Sequence, residues 1–115
     1  MPTLEYWYNA EVVRVYDADT VWLNIDLGFE TWLQNVACRL YGINAPEMRG
    51  PEKTEGLISR DWLIARLTEV DGKVRIQSHK GTRGKYGRWL VVLWADGVNL
   101  NEALVDVGLA EAREY

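Results

Sequence analysis

Cysteine is nearly missing from this chain. Cys38 is the only one, which excludes an intrachain disulfide and a cysteine-built zinc site. Histidine is as scarce: His79 stands alone, and its neighbours offer no nucleophile or metal partner, so histidine-driven chemistry has no basis here. No apolar run approaches the ~20 residues that a membrane-crossing helix needs, so no membrane partner is expected. The start, Met1-Pro2-Thr3-Leu4-Glu5, has neither the basic nor the apolar stretch of a secretory leader. Cytoplasmic residence is the default expectation, although a processed secreted form would look the same. Surplus positive charge is lacking too. Thirteen Lys and Arg face 17 Asp and Glu, a net charge of −4, whereas a nucleic-acid binder usually shows a basic footprint.

What is present is an ordinary globular composition, 48% hydrophobic and 26% charged, in 115 residues. That length suits one domain over 1–115 with a core needing no covalent staple. Tryptophan is abundant: Trp7, Trp22, Trp32, Trp62, Trp89 and Trp94. Core packing accounts for most of them, and an exposed sheet face could use others to meet a partner or nucleobases. Charge is uneven as well. From His79 to Arg88 run Lys80, Arg83, Lys85 and Arg88 without one acid. This positive stretch on an acidic body suits a polyanionic substrate held weakly and in a salt-sensitive way, or is simply a solvated turn.

Hydropathy patterning predicts a β-β-β-α-β-β-α order. Residues 6–16 are rich in β-favouring Tyr and Val. From Thr20 to Leu27, Val21, Leu23, Ile25 and Leu27 alternate with polar or amphipathic partners. Gly28 ends that segment, and Trp32 to Ile43 reads as a third strand of an antiparallel meander. A helix is expected over Pro51 to Val70, stopped by Asp71-Gly72. Two strands, Val74 to Ser78 and Trp89 to Trp94, follow with the basic loop between them. Asn99 and Glu102 have capping-box spacing for a short helix, Leu100 to Val107, ended by Gly108. Five strands with a helix after the third is the layout of an OB-fold barrel, mainly β with two helices.

Three separated clusters carry chemistry. Asp17 and Asp19 flank Ala18 where two strands meet. Such a pair is in most proteins only a turn, with side chains bonding local N–H groups, and it is also a way to aim two carboxylates at a cation. Asn44 and Ala45 leave a strand before Pro46; the Asn44 amide oxygen and the Ala45 carbonyl are acceptable ligands for a hard cation, or merely a strand exit. Glu47 is placed to orient a water or take its proton, or is a solvated loop side chain. Arg39 interrupts an apolar strand, where an unpaired cation is costly, so it must meet a carboxylate or a phosphate. Arg88 follows Lys85-Tyr86-Gly87 directly before an apolar strand. Lys85 and Tyr86 offer a phosphate contact and a stacking ring, with Lys80 and Arg83 as further cations.

Taken together, these residues resemble the thermonuclease family, of which staphylococcal nuclease is the type member. Asp17-Ala18-Asp19-Thr20-Val21, Arg39 through Pro46-Glu47, Lys85-Tyr86-Gly87-Arg88 and Asn101-Glu102-Ala103-Leu104-Val105 look like its successive signatures. The resemblance implies an OB-fold enzyme that hydrolyses DNA and RNA with one calcium ion, leaving 3′-phosphate ends. It implies Asp19 as principal calcium ligand, with Asp17 close by and Ala45 supplying its carbonyl. Arg39 and Arg88 would hold the phosphoryl oxygens, Glu47 would act on the water, and Lys85 and Tyr86 would hold a neighbouring phosphate and sugar. Asn44 stands where the family pattern has a second aspartate ligand, so weaker calcium binding is expected. The loop after Glu47 is short, and the acidic balance differs from the basic type enzyme. The expected partner is nucleic acid, single-stranded DNA or RNA foremost, cut with little sequence preference. The alternative is the same barrel with a weak or inactive site, binding nucleic acid or protein without cleavage.

Overall fold

The structure, a computed structural model, describes residues 4–83 and 88–113, and for 4–5 and 79–83 only the backbone. In chain order the strands and helices are β1 (Leu4–Asp17), β2 (Thr20–Asp26), β3 (Trp32–Leu40), β4 (Ile43–Asn44), α1 (Lys53–Thr68), β5 (Lys73–Arg83), β6 (Trp89–Ala95), β7 (Val98–Asn99), α2 (Leu100–Asp106) and β8 (Glu111–Ala112). β1 pairs antiparallel with β2 and β5, β2 with β3, and β5 with β6. A parallel pairing of β3 with β6 then closes the sheet on itself. The circuit β1-β2-β3-β6-β5 is a closed five-stranded barrel with α1 after its third strand, which is the OB-fold arrangement. Closure leaves the long strands without open edges.

Side-chain period explains the interior. In β2 the alternating Val21, Leu23 and Ile25 are buried, while Trp22, Asn24 and Asp26 between them are half-buried. β6 is apolar on both faces, Leu90 through Leu93 all buried, because α2 packs over its outer side. Helix α1 contributes Leu63 and Leu67 at helical spacing, with the small Gly56 and Ser59 on the same buried face. The predicted cap is present: the Asn99 side chain accepts a hydrogen bond from the Glu102 amide at 3.1 Å. Asp71 and Gly72, at φ 55° and 72°, end the helical segment, and the Gly72 amide bonds back to the Leu67 carbonyl at 2.9 Å.

The structure departs from plain alternation or from the expected bounds in five places. Leu27 lies beyond β2 and is exposed, because pairing ends at Asp26↔Trp32 and a loop begins. Val13 is exposed because the β1–β2 register shifts between Val12 and Arg14, which breaks the alternation there. The third strand stops at Leu40: Gly42, at φ 82°, turns the chain before the separate β4. Gly50–Glu52 form a single 3-10 turn, so the α-helix proper starts at Lys53. Finally, β5 runs to Arg83, where a loop from His79 was expected. The hairpin ladder resumes at Arg83↔Trp89 after a register shift, since backbone pairing needs no apolar side chain. The tryptophans divide: Trp62 and Trp89 pack half-buried against an aliphatic core, Trp22 and Trp94 are half-buried, and Trp7 and Trp32 are exposed.

One buried polar side chain locks this frame. Asn101 accepts a bond from the Leu93 amide at 3.1 Å and donates to the carbonyls of Tyr41 at 2.8 Å and Val91 at 3.1 Å. It thereby holds α2, β6 and the turn after β3 together. Replacing it leaves the Leu93 N–H buried without an acceptor, at a cost of about 1–3 kcal/mol for that group alone. Asn101→Ala is therefore expected to lower the urea unfolding free energy by about 2 kcal/mol or more, with an unchanged m-value; a loss under ~0.5 kcal/mol would refute the clamp.

Candidate active site at the barrel rim

The β1–β2 turn, the end of β3, β4 and the start of β6 meet at one rim. Asp17 ends β1 and pairs with Thr20, leaving Ala18 and Asp19 as the turn between the two strands. The Asp17 Oδ1 accepts the Asp19 amide at 3.1 Å, so this pair is an Asx-type turn as well as a carboxylate pair. Both carboxylates are buried, 7% and 6% exposed. Asp19 is the hub. Its Oδ2 accepts the Ala45 amide at 2.7 Å and faces Arg39 Nη1 at 3.3 Å, its Oδ1 accepts the Thr20 hydroxyl at 3.2 Å, and its carbonyl accepts the Leu40 amide at 2.8 Å.

Arg39 lies across from Thr20 in the β2–β3 register. Its Nη1 also donates to the Leu40 carbonyl at 3.1 Å, and its Nη2 to the Asn44 Oδ1 at 2.9 Å. The buried cation is thus compensated by a carboxylate, as its position in an apolar strand requires. Its Nε–H has no acceptor among the described residues, which leaves a donor for an incoming anion. Arg88 precedes Trp89, and Trp89 faces Cys38 in the parallel β3–β6 pair, so the two guanidinium-bearing positions are neighbours across that seam. Arg88 Nη1 donates to the Thr20 hydroxyl at 3.1 Å, and Thr20 in turn donates to Asp19. Sequence reasoning did not single out Thr20. Its place directly after the carboxylate turn, first in a strand, was the available signal.

Asn44, Ala45 and Glu47 occupy the loop beside this rim. β4 holds the loop by pairing with β8, Asn44 opposite Glu111. Helix α1 holds it from beneath: a Cβ at Gly56 would fall onto the Glu47 carbonyl oxygen, 2.8 Å from its carbon, so only glycine permits this approach. Glu47 is exposed and lines a cleft of about 350 Å³ with Asn44, Ala45, Pro51, Glu52 and Glu55. The structure thus brings together Asp17, Asp19, Arg39, Asn44, Ala45 and Arg88 in one contact network, with Glu47 on the adjoining cleft wall. Lys85 and Tyr86 lie outside the described residues. Lys80 and Arg83 are placed on β5 by their backbone, and their side chains lie outside the description.

The donor set suits a hard cation in type, since every ligand on offer is oxygen: two adjacent buried carboxylates, the Thr20 hydroxyl and the Ala45 carbonyl. Among the described residues no group of three or more His, Cys, Asp or Glu side chains forms a metal cluster. A cation here would rest on two carboxylates and neutral oxygens, and the Asn44 oxygen is already engaged by Arg39. Cys38 takes no part. It is fully buried, and burial pushes its thiol up to about 12, which leaves it an inert packing residue at neutral pH.

Asp17 shows the electrostatic strain of the pair. Burial, then its hydrogen bond to the Asp19 side chain and the Asp19 charge, raise its carboxyl from 3.8 to about 7. The folded chain holds this proton more tightly than the unfolded chain. The resulting stabilisation is complete below about pH 4 and is lost as pH rises through about 7. In chelator, the melting temperature is expected to fall from pH 5 to pH 8, and Asp17→Asn to flatten that slope. Equal slopes for the two proteins would refute the strained pair.

The family model described as staphylococcal nuclease homologue matches residues 37–115, from within β3 onward. The thermonuclease of Staphylococcus hyicus is 33% identical over 108 residues, covering 91% of this chain and 59% of that protein. The thermonuclease of Staphylococcus intermedius is 30% identical over 107 residues, covering 90% of this chain and 59% of that protein. The chain therefore spans about three fifths of the length of these relatives. The matched span includes Arg39, the Asn44–Glu47 loop, Arg88 and the Asn101 clamp. By that match, over more than half of its length, the chain belongs to the staphylococcal nuclease homologue family.

Proposed function

We propose that this chain is a nuclease that hydrolyses phosphodiester bonds of DNA, RNA or both, with little sequence preference and with one calcium ion. The observation that carries the reading is the convergence of two buried carboxylates and two arginines on one barrel rim, linked through Thr20. A scissile phosphate carries negative charge that grows as water attacks phosphorus, so the site must supply cations fixed in advance. Arg39 is held from two sides, by Asp19 and Asn44, and keeps its Nε–H for a phosphoryl oxygen. Arg88, directly before β6, joins the same network through its hydrogen bond to Thr20. Two such planar donors grip a pentacoordinate phosphorus more tightly than the ground-state diester.

Glu47 is the group assigned to the water. Its exposure on the cleft wall puts its carboxyl within reach of solvent, as a proton acceptor for the attacking water requires. The water oxygen bonds to phosphorus, its proton passes to Glu47, and the P–O bond to the leaving oxygen breaks, that oxygen departing with the electron pair and taking a proton from solvent. Asp17, Asp19 and the Ala45 carbonyl are the residues that would hold calcium, which when bound supplies Lewis-acid polarisation and charge neutralisation at the phosphoryl oxygen. The nucleic-acid partner follows from this chemistry, with single strands favoured because an open rim takes an extended backbone more readily than a duplex.

A second reading, a binding module without turnover, draws on the neutral Asn44 and the absence of a three-carboxylate cluster among the described residues. One gel separates the two: single-stranded DNA, duplex DNA and RNA, each with calcium, magnesium, manganese or chelator. Calcium-restored cleavage is expected; a shifted but intact band in every lane would favour the binder. Arg39→Ala and Arg88→Ala are each expected to lower kcat by ~100-fold or more, as for loss of a preorganised oxyanion donor. Near-native turnover in both would remove them from the mechanism. Asn44→Asp, by adding a charge at the rim, is expected to tighten calcium in a calorimetric titration. Unchanged affinity would show that a charge at position 44 does not act on the calcium site.

A further inference from the structure

Next to the rim, the outer face of β1 and β2 presents side chains that have no part in the contact network around Asp19. Thr20 and Trp22, two residues apart in β2, point to the same face, opposite the inward Val21 and Leu23. The register carries that face across three strands. Thr20 stands opposite Arg39, and Trp22 stands between Arg14 on one side and the small Ala37 on the other. Trp22 is half-buried, yet it lies outside the hydrophobic core cluster and outside the side chains packed against that cluster. Two register shifts flank Arg14, one between Val12 and Arg14 and one between Val15 and Asp17. The residues that they leave without a partner in β2, Val13 and Tyr16, are both exposed, as expected of bulges that re-aim a side chain. Arg14 is exposed as well and makes no ion pair among the described residues.

We propose that this face is a nucleotide subsite for a single strand, in which Trp22 stacks a base and Arg14 holds the phosphate next to the one gripped at the rim. It rests on the phosphodiester chemistry proposed for that rim. Trp22 follows Thr20, whose hydroxyl accepts the Arg88 hydrogen bond, by ~7 Å at strand rise, a step of about one nucleotide along an extended backbone. Stacking on an indole needs a base with a free face, which a single strand offers and a duplex does not, and it tolerates any sequence. A guanidinium recognises phosphate through paired N–H groups. Charge selects a polyanion. Beyond the rim carboxylates, Arg14, Trp22 and Ala37 carry one cation and no acid, in a chain of net charge −4. The cleft on the other side of the rim carries Glu47, Glu52, Glu55 and Glu111 without a cation, and repels a phosphate backbone. A second aromatic surface, the cleft lined by Trp7, Trp32 and Trp94 at the opposite end of the barrel, sets Glu11 and Asp96 against Lys73 and Arg75 and has no such bias. The next outward pair of β1 and β2, Glu11 opposite Asn24, brings an acid, so the subsite is one nucleotide long.

Fluorescence anisotropy with a labelled oligothymidylate of about eight nucleotides, in chelator so that no strand is cut, reads the subsite without turnover. Trp22→Leu, which keeps apolar bulk, is expected to weaken binding ~10-fold, and Trp22→Phe, which keeps a stacking ring, by less than ~3-fold. Arg14→Gln is expected to weaken it several-fold and to reduce the slope of log affinity against log salt by ~0.7, the loss of one phosphate contact on a single strand. With calcium, Trp22→Leu and Arg14→Gln are expected to raise KM for the same strand by more than they lower kcat, because they remove ground-state binding. Unchanged affinity and salt slope in Arg14→Gln overturn the subsite even in a protein that cuts DNA, as does unchanged affinity in a Trp22→Leu chain that melts cooperatively. A Trp32→Ala variant that weakens the strand as much as Trp22→Leu overturns it in favour of the far cleft. Binding that depends on Trp22 and Arg14 in a chain that never cleaves upholds the subsite and refutes the nuclease reading.

Discussion

The buried carboxylate of Asp19 is the contact on which the rim depends. It joins three segments that are distant in sequence: its own turn, Arg39 at the end of β3, and the Ala45 amide that opens the Glu47 loop. Its backbone carbonyl adds the Leu40 amide, so side chain and main chain fix the same neighbours. A buried charge is tolerated only with close partners, and removing either member of such a pair leaves the other stranded. That requirement fixes geometry. Arg39 must stay at the turn, and its second nitrogen is then left to orient Asn44.

The cost of this arrangement is visible next door. Asp17 shares the burial, and that burial together with the neighbouring Asp19 holds its proton more firmly than a surface carboxylate's. Under the proposed function such tension has a physical meaning, because a cation bound beside the pair would offset it. Net charge describes the whole surface, whereas the rim of this acidic chain gathers two guanidinium groups in one contact network, which suits the anionic substrate proposed for it.

The barrel separates chemistry from its aromatic end by the length of its strands. At the rim, a helical glycine, Gly56, gives up helix propensity so that α1 can press against the loop bearing Glu47. At the far end, exposed apolar side chains cluster round the β2–β3 loop. The same strands serve both, because alternate residues of a closed barrel point inward to an aliphatic core and outward to whatever the surface must do.

Much of this was legible in the linear pattern. Alternation in β2, the Asn99 cap, the Asp71-Gly72 stop and the cost of an unpaired Arg39 depend on residues a few positions apart, or on one residue's own solvation, so the sequence by itself determined them. Only the tertiary structure decided the rest. The continuation of β5 to Arg83, the exposure of Val13 and the gap between β3 and β4 come from backbone pairing and bulges, which hydropathy does not encode. The reach of Arg88 to Thr20, the hold of Asn101 on Tyr41 and the choice of Trp7 and Trp32 as the exposed tryptophans arise between residues separated by tens of positions or by a whole sheet. Hydrogen bonds and burial are properties of space, and only barrel closure brought those atoms within their range.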